Sequence, residues 1–211
     1  MISKLIIPKD QLICIPENLN SQDALTILED QQLRCAPVVD ESTNLFRGNI
    51  YRYHLYRELY QQSLDNLSEI PVTRFLKNTT RVVHETDSFY HLLFTIRDLP
   101  HIAVLNEQNS FLGIIKHRTM LDFYSQAWQL NQSRYLLVVS GKNVLEDLNR
   151  LTRTVNRYTP INSLISYHDN EYDLDQHLFF LLPMEFDQLN LNTVIHTIQR
   201  KGYQADYYLM N

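Results

Sequence analysis

Apolar positions fall into two near copies of one plan over the first 130 residues. Each copy begins with a short extended segment, 12–15 in the first and 81–84 in the second. A polar residue suited to capping follows: Asn20 or Ser21, then Asp87 or Ser88. The next apolar positions recur every three to four residues, as one face of a helix requires. They are Ala24, Leu25 and Leu28 in the first copy, and Phe89, Leu92, Leu93 and Ile96 in the second. A continuous apolar run then ends on an acid or an amide, Ala36-Pro37-Val38-Val39-Asp40 and Ile102-Ala103-Val104-Leu105-Asn106. After a polar turn a second run is entered beside a glycine, Phe46-Arg47-Gly48-Asn49-Ile50 and Phe111-Leu112-Gly113-Ile114-Ile115. Two short strands joined by polar turn residues predict a hairpin. Each copy closes with a second helix, near 53–61 and 119–130. A β-α-β-β-α unit of this size cannot cover both faces of its sheet alone, so the copies are expected to pack on each other.

From Arg134 the pattern changes. Strands are predicted over 135–140, 161–167, 177–182 and 203–210, with Pro183 ending the third. Helices are predicted over 144–155, on Val144, Leu148, Leu151 and Val155, and over 191–200, with Gly202 as its C-terminal stop. A polar connection with Glu171, Asp173 and Asp175 joins the second and third strands. The order β-α-β-β-α-β is ferredoxin-like. The fold class is therefore α+β, with units over 1–65, 66–130 and 134–211.

Composition narrows the functions that fit this frame. The net charge is -5, from 19 basic and 24 acidic residues, which argues against nucleic acid as a partner but not against a small anion held by a few cations. Four glycines in 211 residues are too few for a phosphate-cradling loop. Cys14 and Cys35 have no metal-ligand spacing and read as reduced core residues. The scattered histidines offer no metal pair, and no serine or cysteine has a recognisable nucleophile context, so neither a metal nor an enzyme is expected. The opening MISKLIIPKD is interrupted by Pro8 and is too short for an export signal or a membrane helix, so a cytoplasmic location without membrane attachment is expected.

The segments APVVD…FRGNI and HIAVLN…FLGII, repeated in register, resemble the CBS domain, which normally occurs as a tandem pair, the Bateman module. The resemblance covers about residues 5–130. The third unit looks like the ACT-like domain of CBS–ACT proteins, which include the AcuB-type regulators; Gly141 falls in the turn after its first strand, where ACT domains bind amino acids.

The resemblance implies a ligand in the cleft between repeats. Nucleotide-binding members carry a Thr or Ser and then an Asp after the glycine segment, for phosphate and ribose. Here those places hold Tyr51 and His54 in the first copy, and Lys116 and Thr119 in the second. The run Lys116-His117-Arg118 suits a phosphodiester better than a free ribose. It looks similar to bacterial CBS proteins that bind cyclic di-AMP, in which an arginine at the place of Arg118 contacts the cyclic phosphate. By the same resemblance Arg34, Ala36 and Ile13 lie on the base side, and Tyr51 or Tyr53 stacks on adenine.

The reading is a non-enzymatic regulatory sensor of an adenine nucleotide, with cyclic di-AMP favoured over AMP or ATP. It is implied to be a homodimer that transmits binding to a regulated protein. Two alternatives stand beside it: a structural adaptor with an empty cleft, and an amino-acid-responsive regulator acting through the ACT-like domain.

Overall fold

The computed structural model describes residues 2–168 and 176–210; the acidic connection Glu171, Asp173 and Asp175 lies outside the described residues. The chain divides into two compact units, Met1–Met120 and Leu121–Asn211.

The first unit holds the first repeat and the second as far as the start of its closing helix, whose residues from Leu121 on fall in the second unit. After β1 (Ile7–Pro8), the first repeat runs β2 (Ile15–Pro16), α1 (Ser21–Asp30), β3 (Cys35–Asp40), β4 (Leu45–Tyr51) and α2 (Arg52–Gln62). The second repeats the order as β5 (Val82–His84), α3 (Phe89–Ile96), β6 (His101–Leu105), β7 (Phe111–Lys116) and α4 (His117–Ala127). The expected caps are in place. The Asn20 side chain accepts from the Asp23 N–H, and Ser88 accepts from the His91 N–H, each satisfying a donor that the helix leaves open.

Strand pairing follows the same plan in both copies. β2 lies parallel to β3, and β3 antiparallel to β4. β5 lies parallel to β6, and β6 antiparallel to β7. The leading segments cross over. β1 precedes the first repeat but pairs with β7 of the second, Ile7 opposite Ile114. Lys77 precedes the second repeat but bridges to Asn49 of the first. Each repeat thus closes a sheet of the other. The glycines make room for this. A Cβ on Gly113 would stand 2.1 Å from the Ile7 carbonyl oxygen, and one on Gly48 would stand 3.0 Å from the Lys77 carbonyl oxygen.

The first repeat buries Leu25, Leu28, Val38, Ile50 and Leu55 together. Val39, Ala103, Phe111 and Ile114 form a second cluster with residues from both copies, and Phe46 stacks on Phe111 at 5.6 Å. The packing of the copies on each other is as expected.

The second unit has β8 (Ser133–Gly141), α5 (Leu148–Asn156), β9 (Ser163–His168), β10 (Gln176–Pro183), α6 (Gln188–Gln199) and β11 (Gln204–Leu209). Its antiparallel sheet has the order β11-β8-β10-β9, the ferredoxin-like arrangement the sequence predicts. Leu137, Val139, Phe180, Leu151, Val155, Val194 and Ile198 fill the space between sheet and helices. The first helix starts later than its apolar spacing predicts: Val144 is buried in the turn before α5 rather than inside the helix. Burial of a side chain at helical spacing does not require that its backbone be helical.

Candidate functional site

Within the first unit a cavity of about 350 Å³ opens between the repeats. The segment before β2 contributes Gln11, Leu12 and Ile13. The entry to β3 contributes Leu33, Arg34 and Cys35, with Pro37 inside that strand. The second repeat contributes Pro100, His101, Ile114 and Lys116. The wall is mainly apolar, and its charged members, Arg34 and Lys116, are both cations. Among the described residues no carboxylate lines it. Such a volume lies at the small end of ligand pockets, and an apolar wall with a few convergent polar groups is their usual composition.

At the back of the cavity three polar side chains from three strands meet. His101 Nε2 lies 2.8 Å from Asn49 Oδ1, and Cys35 Sγ lies 3.7 Å from His101 Nδ1. With Nε2–H donating to Asn49, Nδ1 is left to accept the Cys35 S–H. Burial pulls the His101 imidazole down to about 4, helped by the nearby Lys116 ammonium. Burial pushes the Cys35 thiol up to about 11, against the opposing pull of Arg34. These are the residue types of a cysteine nucleophile with its base and orienting amide, but the energetics run the other way. A reactive cysteine needs a thiolate, and here both partners are held neutral. The Asn49 Nδ2 group is buried without a hydrogen-bond partner.

The sequence-predicted residues divide into two groups. Ile13, Arg34 and Lys116 come together on the cavity wall. The others sit outside its lining. Ala36 is 1% exposed and faces the core beside β4. Tyr51 ends β4, where its hydroxyl accepts from Asn78 Nδ2 at 2.7 Å. With Tyr53 and Tyr56 it borders a separate depression that also includes Arg34. His117 opens α4, and its backbone N–H donates to the Pro100 carbonyl at 2.9 Å. Arg118 is exposed on the first turn of that helix. Cys35, which the sequence reading left as core, His101, which it left among the scattered histidines, and Pro100, which it did not single out, also line the cavity. One signal pointed to Cys35 and His101: they occupy the same place, the first residue of β3 and of β6.

No helix among the described residues is long and apolar enough to cross a membrane, and no cluster of three or more potential metal ligands occurs among them.

Comparison with known proteins agrees with this frame. No curated protein matches the sequence. Among solved structures, the CbpB protein of Listeria monocytogenes in complex with cyclic di-AMP superposes with a TM-score of 0.53 at 16% identity, over 61% of this chain and 98% of that one. A CBS domain protein from Streptococcus pneumoniae gives 0.54 at 18% identity, over 59% and 86%. A conserved protein from Geobacillus kaustophilus gives 0.54 at 20% identity, over 59% and 96%. At these identities the likeness is one of fold. Residues 3–61 match the family model of the CBS domain.

Proposed function

We propose that the chain is a regulatory sensor, not an enzyme, that binds an adenine nucleotide in the cavity between its repeats, with cyclic di-AMP favoured over AMP or ATP. One observation carries the reading: an apolar slot flanked by Arg34 and Lys116, with no carboxylate among the described residues of its wall. An adenine ring needs apolar, flat surroundings, and a phosphodiester needs fixed cations. The crystallised CbpB relative with cyclic di-AMP bound supports the same ligand class. Neither repeat places an aspartate where a free ribose would be held, which favours a cyclic dinucleotide over a mononucleotide. The His101–Asn49 pair at the back of the cavity joins the second repeat to the first, so a ligand pressing on it acts on both.

The chain works as a homodimer, with repeats bounded at 1–65 and 66–130, an ACT-like domain over 134–211, and a cytoplasmic location. Binding alters its affinity for a regulated protein, through a coupling of about 1–3 kcal/mol. Titration of cyclic di-AMP into Arg34→Gln and Lys116→Gln tests the site. Each substitution weakens binding about tenfold, the share of one charge-assisted hydrogen bond. Wild-type affinity in both would remove the ligand from this cavity. Arg118→Ala separates the rest: a loss there extends the site on to α4, and no change confines it to the cavity wall.

A further inference from the structure

The second unit carries a feature that the cleft reading does not use. Arg150 and Arg153 in α5 and Arg157 at its C-cap lie at spacings of three and four residues, along one side of the helix end. Lys201, from the turn after α6, joins them around a concavity of about 450 Å³. In a chain of net charge -5, four cations gathered on one small hollow are out of proportion.

Only part of this charge is neutralised. Arg150 is paired: it lies 3.0 Å from Asp147, donates to the Tyr203 hydroxyl at 2.9 Å, and lies over the Tyr203 ring. Glu146 also borders the hollow. Among the described residues Arg153, Arg157 and Lys201 have no carboxylate within ion-pair distance. The Lys201 ammonium is held in place by Thr154, whose buried hydroxyl accepts from it and donates to the Arg150 carbonyl at 2.8 Å. Burial, with Arg150 and Arg157 nearby, lowers the Lys201 ammonium below its usual value.

We propose that this hollow is a second ligand site, for the phosphate end of a small phosphorylated metabolite. Two guanidiniums and an ammonium line one hollow, and phosphate groups are held by such sets of charged donors. The hollow is metabolite-sized, and the acidic chain around it disfavours a long polyanion such as nucleic acid. The site is independent of the cavity between the repeats.

Isothermal titration of the full chain with inorganic pyrophosphate, at constant ionic strength, tests the site. Saturable binding at one per chain is expected. The double variant Arg153→Gln/Arg157→Gln weakens it at least about tenfold, since two charged donors are lost. Arg34→Gln, in the other cavity, leaves it unchanged. Far-UV circular dichroism confirms that the double variant is folded. Three results would overturn the proposal: no saturable heat, equal affinity in the double variant, or loss of binding in Arg34→Gln.

Discussion

The two repeats share one frame but not one chemistry. Each sheet is closed by a segment lent from the other repeat's leading end, beside a glycine at positive φ, 146° for Gly48 and 153° for Gly113. In the second repeat the lent segment is a paired strand, β1, in very close approach. In the first it is a single bridge at Lys77, less close. The next residue differs in kind as well. Asn49 follows Gly48, and Ile114 follows Gly113. The residue opening the central strand is Cys35 in one and His101 in the other. Duplicating a backbone plan therefore yields two similar sheets, while small changes at matched places give one side a buried amide–imidazole contact and the other an apolar wall.

The largest effect separates the glycines. Gly113→Ala drives a methyl group into the Ile7 carbonyl, in a backbone region that favours glycine, and lowers stability by roughly 3–5 kcal/mol. Gly48→Ala meets a looser neighbour and costs about 1–3 kcal/mol. Urea unfolding of both variants checks the order, and equal losses would mean that the two closures are equivalent.

Next comes the titration of His101. Its imidazole is lowered from 6.5 to about 4, so the unfolded chain takes up a proton at a higher pH than the folded one. Stability is unaffected by this group well above pH 6.5 and falls as the pH drops from there to about 4, by about 3 kcal/mol in all. His101→Phe flattens the unfolding free energy across that window. An unchanged slope would assign the acid sensitivity to other groups.

A smaller effect follows from the partner of His101. Asn49→Ala leaves the buried Nε2–H without an acceptor and costs about 1–3 kcal/mol. Asn49→Leu combined with His101→Phe removes both polar groups and comes closer to neutral, as matched apolar replacements do. A double variant as damaged as Asn49→Ala would contradict this account of the contact.

Much of the frame was legible in the sequence. Helical spacing at Ala24, Leu25 and Leu28 marked α1, the pairs Asn20 or Ser21 and Asp87 or Ser88 bracketed its start and that of α3, and the run Ala36–Asp40 marked β3. These are local signals, set by neighbouring residues. The crossing of β1 into the other repeat's sheet was not legible, because Ile7–Pro8 is too short to show a period and its partners lie at Gly113 and Ile114. The site was half legible for the same reason. Arg34, Ile13 and Lys116 were named through the family resemblance, whereas Cys35, Asn49 and His101 meet only through tertiary packing. Lys116 and Arg118 are two residues apart in sequence, but the step from strand to helix between them puts only Lys116 on the cavity wall.

The most direct test of the nucleotide reading is a thermal-shift comparison of AMP, ATP, S-adenosylmethionine, cyclic di-AMP and cyclic di-GMP on the purified chain. A ligand at about 100 times its dissociation constant adds about 2.7 kcal/mol, a shift of several degrees. The account predicts this for cyclic di-AMP, with the shift lost in Arg34→Gln/Lys116→Gln; no shift with any nucleotide would contradict it and leave the repeats as an adaptor with an empty cleft.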